Sequence, residues 1–315
     1  MAWTIGQTLQ GGQYTIEKEL GWGSFSITYL AKDDSGNYLV IKTPDENLLN
    51  QLSPAERNSL ESKLYDEALK LERCKHPYIV RVLKTFKEGQ VFCLAMEYIQ
   101  GDTLASLIQR VLPQKEALLY IRQIGEALIE VHRQGLLHRD VKPANIMVRA
   151  SQYEAVLIGF DLAGEFDYPL TSRWRDEPFS PIELNSSKKE RRAYTDVYSL
   201  AATLYYLLTG EAPISAIKRK HDNQPLVPPK EINPQISQRV NQAIIKGMML
   251  EPEARPQTMQ QWLDLLGLRR KISASWLPTS KEDWVKLGQM LGGILGTAAA
   301  IAGIISMMVE VGWWH

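Results

Sequence analysis

Between Leu287 and Val309 the chain carries no charged residue, and a run of that kind decides how the whole sequence must divide. At about 1.5 Å per residue these 23 positions span roughly 34 Å as a helix, enough for a hydrocarbon core near 30 Å. A helix buried in a soluble domain seldom runs so far without a polar face, so the segment reads as a membrane span. Trp284 before it and Trp313-Trp314 after it sit as an interfacial aromatic belt would. The nearby basic residues Arg269, Arg270, Lys271, Lys281 and Lys286 all precede the run. The preceding domain is therefore expected on the cytoplasmic side, with Glu310 to His315 as a short tail on the other. Gly288, Gly292, Gly296 and Ala300 recur every four residues and form a smooth stripe along which two spans could pair, making a homodimer one expected state.

The rest of the chain is expected to be a globular part, residues 1–268, joined to the span by a linker, residues 269–286. Formal net charge is zero, with 36 basic and 36 acidic residues, which argues against nucleic acid as an obligatory partner. Two cysteines, Cys74 and Cys93, are too few for a disulfide framework and suit a reducing compartment. Met1 to Gln13 lacks the basic start and apolar stretch of a signal peptide, leaving the C-terminal run to direct insertion. Lys218 to Pro234, rich in proline and polar residues, reads as a surface loop.

Within the globular part, Leu20-Gly21-Trp22-Gly23-Ser24-Phe25-Ser26-Ile27-Thr28 joins two strand-like runs through a turn of small residues. Glycines there let backbone amides approach phosphate oxygens, although a glycine hairpin is by itself also just a turn. Leu39-Val40-Ile41-Lys42 is an apolar strand ending in a lysine, which alone would also suit a solvated edge. Glu67 lies in a helical stretch where Leu60, Leu64, Ala68 and Leu71 recur at three-to-four spacing. The sequence His138-Arg139-Asp140-Val141-Lys142-Pro143-Ala144-Asn145 then matches H-R-D-x-x-x-x-N, and Ser180-Pro181-Ile182-Glu183, Asp196 and Arg255 follow.

In this order the motifs resemble the bacterial branch of the eukaryotic-like serine/threonine protein kinases, from about Tyr14 to Leu268. The resemblance implies an α+β, two-lobed fold: a five-stranded N-lobe with one helix over 1–96, then a hinge and helical C-lobe over 97–268. It implies ATP as cofactor, held by Leu20, Gly21, Trp22, Gly23, Ser24, Phe25, Ser26, Thr28, Val40, Lys42, Met96, Glu97 and Tyr98, with Glu67 pairing Lys42. Asp140 becomes the catalytic base and Lys142 the side chain that steadies the γ-phosphate. Asn145 becomes a ligand for Mg²⁺ or Mn²⁺. Glu183 and Arg255 look like a buried structural pair, Asp196 like a brace for the catalytic loop, and Leu71, His138 and Phe160 like parts of an apolar stack coupling the lobes.

The sequence departs from that pattern at a few places. Gly159-Phe160-Asp161 stands where the kinases carry Asp-Phe-Gly, so the metal-binding acid is missing. Asp161 is the candidate replacement, but in an extended segment it lies about 6.6 Å beyond position 159 at roughly 3.3 Å per residue. Val40 crowds the adenine site by about two methyl groups, at a cost of roughly a few kcal/mol at most. Asp176 would face Asp140 as a like charge, and Thr171 and Ser172 are candidate phosphorylation sites. The expected function is a membrane-tethered kinase with impaired or unusual metal use, acting on a protein substrate. An ATP-binding pseudokinase serving as scaffold or switch for a regulatory protein partner is the other reading. A third makes the domain a sensor for the Gly/Ala-rich tail, which is similar to membrane-perturbing segments.

Overall fold

A computed structural model describes residues 3–23, 26–107, 111–150, 152–160, 177–185 and 190–268. By backbone contacts the chain separates into Met1–Arg269 and Arg270–His315. The second unit, with the expected linker, span and tail, lies outside the described residues. Among the described residues no helix is long and apolar enough to cross a membrane.

Six antiparallel strands build the N-terminal sheet: β1 (Thr8–Leu9), β2 (Tyr14–Trp22), β3 (Ser26–Asp33), β4 (Tyr38–Pro44), β5 (Val82–Glu88) and β6 (Val91–Glu97), in the order β1-β2-β3-β4-β6-β5. The family resemblance implies five strands. The extra one is two residues long, too short to show alternation, and is held by pairing Leu9 with Tyr14. Interior strand β6 is buried on both faces: Phe92, Leu94 and Met96 join one core cluster, while Cys93 and Ala95 join another with Leu9, Ile16, Tyr29 and Ile41. That is the period-two pattern of a strand covered on both sides. Both cysteines are buried and free, and burial pushes each thiol up to about 12.

Two helices rather than one accompany this sheet, α1 (Glu46–Leu49) and α2 (Pro54–Arg73). Proline at the first helical position and a reciprocal Ser53–Glu56 capping box start α2, with the Ser53 amide donating to Glu56 Oε2 at 2.8 Å. Its buried stripe is Leu60, Leu64, Glu67, Ala68 and Leu71, which places the one acid of that stripe against the core.

The second half is helical: α3 (Leu104–Leu107), α4 (Gln114–Arg133), α5 (Ala193–Thr209), α6 (Ala216–His221), α7 (Pro229–Ile232), α8 (Gln238–Gly247) and α9 (Met259–Leu266). The stretch read as one loop, Lys218 to Pro234, instead holds the end of α6 and all of α7. Ser215 caps α6 before the polar run begins, and Pro229 opens α7, where a missing amide costs nothing. A small sheet, β7 (Gly101–Thr103), β8 (Ile146–Arg149) and β9 (Ala155–Leu157), carries the loops of the site. A Cβ at Gly101 would lie 2.0 Å from Val148 O, so only glycine permits that strand pairing. Val80 N donates to Leu157 O at 3.0 Å and Leu157 N to Tyr78 O at 2.9 Å, tying β9 to the segment that enters β5.

Candidate active site

Asp196, at the start of α5, fixes the loop that precedes β8. Its wholly buried carboxylate accepts the amides of His138 (Oδ2, 2.9 Å) and Arg139 (Oδ1, 2.9 Å), with His132 Nε2 2.8 Å from Oδ2. Arg139 has φ +64°, a conformation that L-residues adopt at a cost of roughly 1–2 kcal/mol, and the paired amides hold it there. Burial acts to raise the Asp196 pKa, but the hydrogen bonds from His132 and from the His138 amide bring it below the ordinary carboxylate value. His138 Nδ1 accepts the Asp140 amide at 3.3 Å, so Nε2 carries the hydrogen donated to Ile158 O at 2.7 Å. Burial pushes the His138 pKa down to about 4, so the ring is neutral. It packs on Phe160 at 4.5 Å between centroids, and Phe160 and Leu71 belong to one core cluster.

Past this brace, Asp140 is held on both sides. Lys142 Nζ lies 3.0 Å from Oδ1, and Asn145 Nδ2 donates to Oδ2 at 2.6 Å and to the Asp140 carbonyl at 2.7 Å. Lys142 also faces Glu177 at 3.8 Å. A cation and a carboxamide thus aim one carboxylate at the end of a loop whose backbone is clamped from α5.

Lys42 and Glu67 do not pair. Lys42 Nζ donates to Phe160 O at 2.7 Å. Glu67 is taken by Lys70, one turn along α2, at 2.8 Å, and its Oε2 lies 3.8 Å from Arg139 Nη1 without accepting a hydrogen bond. The expected partner is replaced because two other cations sit beside the same buried acid.

The strands above place the remaining predicted nucleotide residues together. Gly21 and Lys42 both stand opposite Thr28 in neighbouring pairs, and Val40 pairs with Leu30 and Met96. Gly23 N donates to Ser26 O at 2.7 Å at the hairpin tip; Ser24 and Phe25 lie outside the described residues. A Cβ at Gly21 would meet nothing within 4 Å, so that glycine leaves open space over the backbone rather than relieving a protein contact. Leu20 and Trp22 are exposed. At the end of β6, Glu97 exchanges hydrogen bonds with Arg81, amide to carbonyl at 2.9 Å and Arg81 amide to carboxylate at 3.0 Å, while Tyr98 packs on Tyr38.

Gly159 is where the sequence predicts only a missing acid. Its φ is +77°, and a Cβ built on it would lie 2.5 Å from Asn145 Oδ1 and 2.6 Å from Asn145 Cγ. The Asn145 carboxamide therefore fills the space in which a side chain at 159 would begin. Ile158 N donates to Asn145 O at 2.9 Å, which holds the two backbones in this register. These donors do not fit a divalent ion shared between positions 145 and 159, and among the described residues no group of three or more His, Cys, Asp or Glu could hold one. Asp161, Asp176, Thr171 and Ser172 lie outside the described residues.

Below the site, Glu183 and Arg255 form a bidentate pair at 2.6 and 3.0 Å, both fully buried. Arg255 also donates to the carbonyls of Met249, Leu250 and Tyr194, and Thr195 Oγ1 donates to Glu183 at 3.1 Å. Buried charge is tolerated when every donor is used in this way.

Residues 14–264 match the sequence model described as the protein kinase domain. The chain belongs to the protein kinase family. Among its relatives are bacterial serine/threonine protein kinases. PknE of Mycobacterium tuberculosis is 31% identical over 260 residues, covering 78% of this chain and 44% of that one. A probable serine/threonine-protein kinase of Clostridium perfringens is 28% identical over 293 residues, covering 89% and 41%. Pkn2 of Myxococcus xanthus is 26% identical, covering 85% and 34%. The chain thus spans less than half the length of these relatives. The kinase fold, with a β-rich N-lobe and helical C-lobe, is shared with PpkA-294 in its apo form, at a TM-score of 0.68 with 26% identity, covering 84% of this chain and 99% of that one. The kinase domain of Mycobacterium tuberculosis PknI superposes with a TM-score of 0.64 at 24% identity, covering 85% and 98%.

Proposed function

We propose that this kinase domain transfers the γ-phosphate of ATP to a serine or threonine of a protein substrate. The observation that carries the reading is Asp140, whose carboxylate is aimed by Lys142 and Asn145 on a loop clamped by Asp196. Asp140 takes the substrate hydroxyl's proton as the new O–P bond forms and the bond to the β,γ-bridging oxygen breaks, releasing ADP. A positioned base of this kind contributes roughly 10²–10⁴-fold. Lys42 binds the α- and β-phosphates on leaving Phe160 O, Lys142 steadies the γ-phosphate, and the Gly21–Gly23 backbone lies over the chain of phosphates. Met96, Glu97 and Tyr98 line the adenine end. No step is assigned to Mg²⁺ or Mn²⁺, because the donors at 145 and 159 do not fit the ion, and metal use is unusual in this reading.

Leu287–Val309 supports tethering: an uncharged run long enough to span a bilayer keeps a cytoplasmic domain near membrane-associated substrates, and its small-residue stripe supports pairing of two copies. Gly159 favours one second reading, an ATP-binding pseudokinase that switches or scaffolds without transfer. Nucleotide binding and autophosphorylation with Mg²⁺, Mn²⁺ or EDTA decide between them, run on wild type, Asp140→Ala and Lys42→Met. The kinase reading expects transfer by wild type, at least a roughly hundredfold loss in Asp140→Ala with ATP still bound, and loss of binding in Lys42→Met. ATP binding without transfer establishes the switch, and a folded protein that binds no nucleotide removes both.

A further inference from the structure

We infer that Gly159 is a positioning residue for Asp140, acting through Asn145, and that an aspartate placed at 159 weakens this site rather than repairing it. The inference rests on the reading of Asp140 as the group that takes the substrate's proton. By sequence, Gly159 is a lost ligand and Gly159→Asp a restoration. The geometry gives the glycine a use of its own.

Three observations combine. The backbone at 159 lies in the left-handed region at φ +77°, which glycine adopts freely and L-residues adopt at a cost that is smaller for aspartate than for most. The recess left by the absent Cβ is filled by the Asn145 carboxamide, whose Oδ1, Cγ and Nδ2 would stand 2.5, 2.6 and 3.0 Å from that atom. Neither backbone can drift apart easily, since Ile158 N donates to Asn145 O and Ile146 pairs with Leu157 between β8 and β9. Among the described residues Asn145 Nδ2 serves Asp140, with one bond to Oδ2 and one to the carbonyl. Any side chain at 159 must therefore push the carboxamide out of its seat, and the hydrogen bonds that aim Asp140 go with it. Aspartate is no exception, because the clash begins at Cβ before its carboxylate is reached.

The test uses the full chain with Gly159→Ala, Gly159→Asp, Asn145→Ala and the Asn145→Ala/Gly159→Ala double variant. Asparagine-selective ¹⁵N labelling gives the side-chain amide signal of Asn145, assigned by its loss in Asn145→Ala. The expected result is a displaced Asn145 amide signal in Gly159→Ala and Gly159→Asp; an unmoved signal overturns the inference. In autophosphorylation, both single variants at 159 should lower kcat at least about tenfold with KM for ATP within about twofold. In the Asn145→Ala background, where the seat is empty, Gly159→Ala should cost little further kcat. A rise in kcat on Gly159→Asp, or an equal loss on Gly159→Ala with and without Asn145, overturns it as well. If wild type transfers no phosphate the functional reading fails, and the amide signal still decides whether Gly159 seats Asn145.

Discussion

Arg255 spends all five of its donors inside the protein, two on Glu183 and three on the carbonyls of Met249, Tyr194 and Leu250. Removing it leaves a fully buried carboxylate without its counter-charge, so Arg255→Ala should lower the unfolding free energy by about 3–5 kcal/mol in urea titrations. Arg255→Lys keeps the charge but not the fork, and should recover only part of that loss. This pair was legible in the sequence, because a buried acid needs a bidentate partner and one arginine stood in the right motif. The partner of Glu67 was not legible. Lys42, Lys70 and Arg139 carry the same charge in the sequence, and only packing sets Lys70 at 2.8 Å and Arg139 at 3.8 Å from that acid while Lys42 bonds Phe160 O.

At the level of elements, the stripe Leu60, Leu64, Ala68 and Leu71 was readable as helical and lies on α2, while the Ser53 cap that starts this helix came only from the structure. The two-residue β1 and the short α6 and α7 were not, since each is stabilised by neighbours rather than by a pattern of its own. One contact between helices offers a direct check. A Cβ at Gly247 of α8 would lie 2.7 Å from Ala201 Cβ of α5 and 2.7 Å from Trp262 Nε1 of α9. Ala201 and Trp262 are fully buried, and Trp262 Nε1 donates to Ala243 O at 2.9 Å, so neither can give way. Gly247→Ala should cost about 1–3 kcal/mol by overpacking, outweighing the roughly 1 kcal/mol that alanine gains in a helix. Thermal melting reads the sign, and a raised Tm would refute the packing argument.

For the molecule as a whole, the buried polar brace between α4, α5 and the catalytic loop makes stability depend on pH. Folding lowers the His138 pKa from 6.5 to about 4. The unfolded chain therefore takes up a proton that the folded one refuses, and the contribution is full above pH 6.5 and lost as pH falls toward 4. The whole window is worth about 3 kcal/mol. Asp196, also lowered, acts in the same direction at more acid pH: its contribution is present above its unfolded value of 3.8 and lost as pH falls through the lower folded one. Urea midpoints measured from pH 7.5 to 4 should fall steadily below 6.5, and a flat profile would show that His138 titrates normally in the fold.

The order and spacing of residues were enough to point to this chain's family and its two-lobed fold and to single out Asp140, Lys142 and Asn145, which the loop brings together, because those choices depend on residue type and sequence distance. They could not reveal that Asn145 occupies the place of a side chain at 159, that Glu67 turns from Lys42, or that Arg139 sits at φ +64° under Asp196. Each of these depends on which groups the backbone brings within a few ångströms. Spacing along a chain carries charge and shape but not the sign of a dihedral angle or the choice among equal charges, and those were settled when the loop, α2 and the small sheet packed against one another.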